Sequence, residues 1–160
     1  MMLDEKTYLF NPFNIQKVTD DAICEQITAV AAKYRQEADT PYDVAFNIEV
    51  GSNLLYLYGE MIARLTHRYN SKKLDNNKGE MLETHRLRKQ WSKENKDKAP
   101  AISYFEALAV EKYQISREQE FKDLEMLTRF KYAYESVEAK MNAWKKKLET
   151  FKYDLVERQA

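Results

Sequence analysis

The clearest pattern of apolar positions lies in the last third of the chain, where apolar residues follow one another at spacings of four and three over three heptads. Such spacing indicates the buried face of a coiled-coil or bundle helix, which we predict over residues 117–158. The residues of this face are Phe130, Tyr134, Val137, Met141, Trp144, Leu148, Phe151 and Leu155. Because these side chains are bulky and partly aromatic, they favour an antiparallel helical hairpin over a two-stranded coiled coil.

The partner helix of that hairpin is predicted over residues 54–97. Its first half carries a second face with the same spacing, made of Leu55, Tyr58, Ile62, Leu65 and Tyr69 and widened by Leu54 and Met61. Beyond Leu74 the apolar residues no longer share one face, although the segment remains rich in helix-forming residues. We therefore expect the far half of this helix to protrude without a core face of its own. Asn76, Asn77 and Gly79 predict a weak point or kink in it.

The N-terminal part has weaker patterns. Residues 1–18 are predicted as an irregular leader, followed by a first helix over residues 20–38 with Asp20 as its N-cap. Residues 43–50, DVAFNIEV, place apolar side chains at every second position, which predicts a short strand. The following Gly51-Ser52-Asn53 is interpreted as a turn.

Two capping signatures divide the C-terminal part. Ser103 with Glu106 predicts a short helix that starts at Tyr104, and Ser116 with Gln119 predicts the start of the last helix. Together these elements indicate a mainly α fold: one helical domain over residues 1–160 that assembles into a homo-oligomer.

The distribution of charged residues adds information about partners, because the charges balance in total but are uneven along the chain. Lys plus Arg and Asp plus Glu number 26 each. Residues 1–60 hold 4 basic and 10 acidic side chains, and residues 61–100 hold 11 basic and 5 acidic, which gives net charges of −6 and +6. A chain with an acidic N-terminal part and a basic middle can bind a polyanion, or can pair head to tail with its own copies.

The residues that catalysis usually requires are absent from the sequence. Neither a phosphate-binding loop nor a dinucleotide-binding glycine pattern occurs. His67 and His85 are 18 residues apart, about 27 Å along a helix, so they cannot share a metal ion within one helix. Cys24 is the only cysteine, which excludes an internal disulfide and favours a reducing cytoplasm. We expect no catalytic residue, metal or cofactor, and neither a membrane-spanning nor a secretory segment.

The segment HRLRKQW, residues 85–91, is the main candidate for a binding site. On a helix, one face there carries Leu82, Arg86, Lys89, Lys93 and Lys96, with Arg88 and Trp91 beside it. A basic face next to an aromatic side chain can follow a single nucleic-acid strand, because the cations neutralise phosphates and a base can stack on the indole. The alternative is a solvated helix face whose last lysines interact with the helix dipole.

Several segments in the same order resemble the phage recombination mediator proteins of the UvsY type. An extended acidic segment, FNIEV, leads into LLYLYGEMIARL, then a basic helix ends in RLRKQW, and a long helix carries FKYAYESVEAKMNAWKKKLETFKYD. The resemblance covers roughly residues 44–155. It implies a small, helical, ring-forming protein without a catalytic site, which binds single-stranded DNA and helps to load a RecA-like recombinase onto strands coated by single-strand-binding protein. If the chain is phage-encoded, it works in the host cytoplasm.

In that family a basic residue and an arginine two positions later, shortly before an aromatic residue on the first long helix, contact the strand. The matching residues here are Arg86 and Arg88, with Lys89 following and Trp91 as the aromatic residue. The resemblance therefore implies the same segment as the charge pattern does.

A second hypothesis belongs to another class of protein. The heptads can serve only to build an oligomer, as in an adaptor or a virion or assembly component that does not bind nucleic acid. The basic helix would then pair with the acidic N-terminal part of a neighbouring copy.

Overall fold

The predicted mainly α class is confirmed. The computed structural model describes residue 15, residues 17–95 and residues 98–157, with side chains described as far as residue 152. Within these residues the chain forms four α-helices and no strand: α1 (Asp20–Ala31), α2 (Pro41–Glu94), α3 (Ile102–Lys112) and α4 (Gln114–Glu157). Most of the predicted leader lies outside the described residues.

The chain divides into two compact units, and both long helices contribute to each of them. Unit 1 contains α1, the first part of α2 up to Met61, and α4 from Ala133 onward. Unit 2 covers residues 62–132, which hold the rest of α2, α3 and the first part of α4. Each unit is a helical bundle with buried residues of its own, as the prediction of a bundle requires.

Helix α1 is shorter than predicted, and its N-cap lies one residue earlier. Thr19, not Asp20, is the N-cap, because its side-chain oxygen accepts a hydrogen bond from the backbone N–H of Ala22 at 3.3 Å. After Ala31 the chain leaves the helix, and buried Asn47 binds the backbone of Arg35. The Asn47 amide accepts from the Arg35 N–H at 2.9 Å and donates to the Arg35 carbonyl at 3.0 Å. A side-chain amide thus replaces the helical partners of Arg35.

The strand predicted over residues 43–50 is wrong, because these residues belong to α2. Thr40 and Pro41 do mark a boundary, but the boundary is a helix start. The Thr40 hydroxyl caps the Asp43 N–H at 3.1 Å, and proline is well suited to the first helical position. The buried face of this segment runs through Asn47. Because Asn47 is polar, the apolar residues around it gave a false period of two.

The turn predicted at Gly51 is also wrong, because the glycine lies inside α2 in unit 1. A Cβ atom at Gly51 would lie 2.5 Å from Cγ of Met141 and 3.2 Å from the hydroxyl of Tyr34. The absence of a side chain therefore lets α4 approach α2 closely. Tyr34, whose hydroxyl lies near Gly51, also packs its ring against Trp144 of α4, with ring centroids 5.0 Å apart.

The buried face of α2 in unit 1 is rotated slightly from the predicted one. Leu54, Leu57 and Met61 are buried, whereas Leu55 is half-buried. In unit 2, Leu65 is buried and Ile62 is half-buried. Full burial of such a side chain contributes on the order of 1.5–3 kcal/mol to the stability of the fold.

The predicted face of α4 avoids solvent as far as its side chains are described. Val137 and Met141 are buried. The half-buried members of the face are Phe130, Tyr134, Trp144, Leu148 and Phe151. The side chain of Leu155 lies outside the described residues.

Neither predicted capping box forms. Helix α3 begins at Ile102 after Ala101, without a side-chain cap, so Ser103 and Glu106 lie inside the helix. Only Tyr113 separates α3 from α4. Ser116 is likewise inside α4, and its hydroxyl donates to the Asn76 side chain instead of capping the helix.

Candidate nucleic-acid interface

The far half of α2 has a packed side, contrary to the prediction that it lacks a core face. In unit 2, α3 and the start of α4 lie against it. The buried residues on this side of α2 are Asn76, Glu83 and Thr84, and buried Glu120 and Asp123 face them from α4. The hydrophobic pattern missed this side because polar side chains occupy most of it.

A hydrogen-bonded network joins two of these buried polar groups, Asn76 and Glu120, to Arg117. Asn76 donates to Glu120 at 2.8 Å, and Arg117 donates to the same carboxylate at 2.7 Å. Arg117 also forms a two-bond pair with Glu80. Burial alone would raise the pKa of Glu120, but the hydrogen bonds from Asn76 and Arg117 outweigh it and lower the pKa below its ordinary value. Buried charges are stable in such a site only while every partner is present.

Glu83 joins two cations from two helices at the edge of this packed side. Its Oε1 atom lies 2.7 Å from Nη2 of Arg86 on α2 and 3.1 Å from Nζ of Lys112 on α3. Arg86 adds a second bond from Nε at 2.9 Å, so the pair is bidentate, and its Nη1 donates to Gln90 at 3.0 Å. Hydrogen bonds from Arg86, and then from Lys112, lower the pKa of Glu83 to about 2. One carboxylate with two cations leaves a net charge of +1 there.

The outward face of α2 lies opposite this packed side. Lys78, Leu82, His85, Lys89 and Lys93 follow at spacings of four, three, four and four, so they share that face, and all five are exposed. We call these five residues, together with the exposed Arg88 and Met81 at its border, the outward face of α2.

The predicted cations of this segment fall into two groups. Arg88, Lys89 and Lys93 are exposed and form no ion pair with the described residues, whereas the guanidinium of Arg86, which is also exposed, donates two hydrogen bonds to Glu83 and one to Gln90. Lys96 lies outside the described residues. The structure therefore separates cations without an ion-pair partner in the described part of the chain from one that already pairs with a carboxylate of its own helix.

Trp91 packs within unit 2, although the far half of this helix was predicted to have no core face. Its ring meets that of Phe105 of α3 edge to face, with centroids 6.3 Å apart. Trp91 and Leu87 are both half-buried. The indole Nε1 of Trp91 is buried and has no hydrogen-bond partner among the described residues. A base could reach only the exposed part of this ring.

Sequence reasoning missed Glu83 and Lys112 as parts of this surface. The signal for Glu83 was its position seven residues after Asn76, which places two polar residues on one helix face. Nothing in the sequence could place Lys112 beside Arg86, because the two residues meet only through the packing of α3 on α2.

Two residues that were considered for metal or thiol chemistry, His67 and Cys24, do not belong to this surface. His67 is exposed, and Cys24 is a free, half-buried thiol in unit 1 whose pKa is raised by burial and by the nearby Asp20 and Asp21. Among the helices of the described residues, none has an apolar stretch long enough to cross a membrane.

Comparisons with protein-family models, with curated proteins and with solved structures found no match for this chain.

Proposed function

We propose that the protein binds single-stranded DNA without sequence specificity through the outward face of α2. The observation that carries the proposal is a row of exposed cations without ion-pair partners on the described residues, Lys78, Arg88, Lys89 and Lys93, on one side of a helix whose other side is packed. Cations that are not neutralised within the chain can exchange bound counterions for phosphates, which is the main source of non-specific affinity for nucleic acid.

Exposed apolar side chains lie among these cations. Met81 and Leu82 are 56% and 64% exposed, and the His85 ring is exposed beside them. Unstacked bases of a single strand can lie on such side chains, whereas the paired bases of a duplex cannot. This combination favours a single strand over a double helix as the ligand.

Single-stranded DNA binding agrees with the resemblance to recombination mediators, and we propose that role for the protein. It acts without catalysis, as a homo-oligomer that holds the strand and helps to load a RecA-like recombinase in the presence of single-strand-binding protein. The support for self-association is the apolar surface of unit 2, where Ile102, Val110, Ile115 and Phe121 are each about half exposed or more. Such surfaces commonly mark contacts between proteins.

The binding proposal is tested with labelled oligo-dT and fluorescence anisotropy. We expect binding at ~50 mM salt and the loss of most of the affinity by ~200 mM, because bound counterions are released. The variant Arg88→Ala, Lys89→Ala, Lys93→Ala should reduce the log–log salt slope by about 2, at roughly 0.7 for each phosphate contact to a single strand.

The matched control removes three exposed cations from α4: Lys131→Ala, Lys140→Ala, Lys146→Ala. The net charge change is the same, so an effect of total charge would appear in both variants. Absence of binding by the wild type at low salt would overturn the proposal, and so would an equal loss in the control.

The mediator role needs a second measurement. A RecA-like recombinase is incubated with a strand that has been coated with single-strand-binding protein, and its DNA-dependent ATP hydrolysis is followed. We expect the wild type to speed the onset of hydrolysis and the triple variant of α2 to do so less. If DNA binding is intact but the onset does not change, the mediator role fails and the binding proposal stands.

The apolar surface of unit 2 also supports a second candidate function, that of an oligomeric adaptor or assembly protein without nucleic-acid binding. In that case, the wild type should form its oligomer and ignore oligo-dT at ~50 mM salt, where a strand-binding protein should bind most tightly. The same anisotropy experiment, together with light scattering, therefore distinguishes the two candidates.

A further inference from the structure

A groove at the junction of α3 and α4 lies next to the proposed strand-binding face. It has a volume of about 640 Å³ and lies wholly within unit 2. Tyr113, the residue between the two helices, lines it and crosses α2 at Gly79, where a Cβ atom would lie 2.5 Å from the tyrosine ring. Glycine at that position lets the junction come close to α2, so that Lys122 of α4 and Lys72 of α2 line the same groove.

Three lysines from three helices line the groove: Lys72 of α2, Lys112 of α3 and Lys122 of α4. The carboxylates that pair with the first two are buried, since Asp123 is 2% exposed and Glu83 is 8% exposed. The side chain of Lys112, in contrast, is 57% exposed, and Lys122 is exposed without an ion-pair partner among the described residues. A ligand in solvent therefore meets cations first, with Glu118 as the one carboxylate in the lining.

The groove approaches the outward face of α2 at Arg86, an exposed residue three positions before Lys89 of that face. Arg86 on α2 and Lys112 at the groove share the Oε1 atom of this carboxylate, so their nitrogens lie close together. Phosphates of one strand are spaced by only a few ångströms along the backbone, so a strand on the outward face can pass Arg86 and reach Lys112 without a long gap.

The lining also contains apolar surface that suits bases. Ile115 is 83% exposed, the largest exposed fraction among the exposed large apolar residues of the described chain, and half-buried Tyr113 lies beside it. Lysines next to an aromatic ring and an apolar side chain form the combination that binds an unstacked strand. A site for free inorganic anions would not need apolar or aromatic surface, so these two residues favour a nucleic-acid strand as the ligand.

We propose that this groove is a second contact site for the same single strand, in which Lys112 and Lys122 bind backbone phosphates. The proposal rests on the proposed function, because it extends the path of the strand that α2 binds. It makes the α3–α4 junction, and not α2 alone, responsible for part of the affinity and of the number of nucleotides covered.

The test is the salt dependence of oligo-dT binding by the double variant Lys112→Ala, Lys122→Ala. We expect the log–log slope to fall by about 1.4 from that of the wild type, at roughly 0.7 for each lost phosphate contact. The control, Lys131→Ala with Lys140→Ala, carries the same charge change on exposed parts of α4 and should keep the wild-type slope. The charge-preserving variant Lys112→Arg, Lys122→Arg should also keep it.

Because Lys112 also pairs with Glu83, the double variant could lose stability as well as DNA contacts. The single variant Lys122→Glu avoids this problem, since Lys122 has no ion pair with the described residues. We expect it to weaken binding at ~50 mM salt while the circular dichroism spectrum and the melting temperature stay at wild-type values.

The outcomes separate this inference from the proposed function. If the wild type does not bind oligo-dT, the proposed function fails and the groove proposal fails with it. If the wild type binds and the α2 triple variant weakens it, while the slope of Lys112→Ala, Lys122→Ala and the affinity of Lys122→Glu remain unchanged, only the groove proposal is overturned. An equal loss of slope in the Lys131 and Lys140 control would overturn it too.

Discussion

At the scale of single residues, Glu83 decides what the neighbouring cations can do. The carboxylate is nearly inaccessible to solvent, and its bonds to Arg86 and Lys112 tie α2 to α3. Arg86 was predicted to contact DNA because it lies on the basic face of the helix and matches a strand-contacting position of the family that the chain resembles. The structure gives its guanidinium three bonds within α2, so its removal would disturb packing as well as any ligand contact.

Glu83 also predicts a pH dependence of stability. Its pKa falls from an ordinary 4.5 to about 2, so its ion pairs contribute fully above pH 4.5 and are lost as the pH falls toward 2. We expect Glu83→Gln to melt below the wild type at pH 5–7, and this difference in melting temperature to shrink between pH 4.5 and 2. The measurement is thermal unfolding followed by circular dichroism across that range.

The control for this prediction is Glu111→Gln, because Glu111 is an exposed carboxylate of α3 without an ion pair among the described residues. Its melting temperature should stay close to that of the wild type. A difference between wild type and Glu83→Gln that stays constant down to pH 2 would contradict the assigned ion pairs.

At the scale of elements, the glycines of α2 illustrate how packing overrides local preference. Glycine inside a helix costs about 1 kcal/mol relative to alanine, so the sequence reasonably indicated a turn at Gly51. The residue is retained in the helix because Met141 of α4 occupies the space that a side chain would need. Gly59 lies in the same helix, and a Cβ atom added there would have no neighbouring atom within 4 Å.

This contrast gives a prediction with a control in the same helix. Gly59→Ala should raise the free energy of unfolding by up to about 1 kcal/mol, because it only removes the cost of glycine. Gly51→Ala should lower it by roughly 1–3 kcal/mol, because the new methyl group overlaps Met141. Urea unfolding of both variants measures the two changes.

Adding Met141→Ala to Gly51→Ala should recover the part of the lost free energy of unfolding that comes from the overlap. The new methyl group at residue 51 would then have room. The explanation would be wrong if both alanine variants gained equally, because the close approach of α4 would then have no energetic consequence.

At the scale of the whole molecule, the two units differ in what they bury and what they expose. Asn47 is the one buried polar residue among the described residues of unit 1, whereas unit 2 buries Asn76, Glu83, Thr84, Glu120 and Asp123. Unit 2 also exposes most of the large apolar side chains that reach solvent. Apolar side chains exposed on this scale commonly mark contacts between proteins, and this supports self-association through unit 2.

The predicted consequence is a change in subunit number. Val110 and Phe121 line one groove on α3 and α4 and are 50% and 66% exposed, so Val110→Glu with Phe121→Glu should prevent a second copy from covering it. Size-exclusion chromatography with light scattering should show a smaller assembly than that of the wild type.

A control in unit 1, Tyr56→Glu, changes a side chain that is 42% exposed and should leave the assembly intact. A wild type that is monomeric at all concentrations would refute self-association. An unchanged mass for the double variant would show that copies meet through another surface.

The sequence by itself determined the helical class and the inward side of α4. Apolar side chains at heptad spacing can be removed from water only on a helix, so Val137 and Met141 were identifiable without coordinates. The exposure of the cations Arg88, Lys89 and Lys93 was also predictable, because lysine and arginine are almost never fully buried unless they are paired.

Where buried polar residues make the packing contacts, only the tertiary structure showed which element forms and which side of it is buried. Asn47 concealed the helix of residues 43–50, and Asn76 and Glu83 concealed the packed side of the far half of α2. Hydrophobic periodicity reports burial only where burial is apolar. A buried amide or carboxylate needs a specific partner from another helix, and the sequence does not tell which residue that partner is.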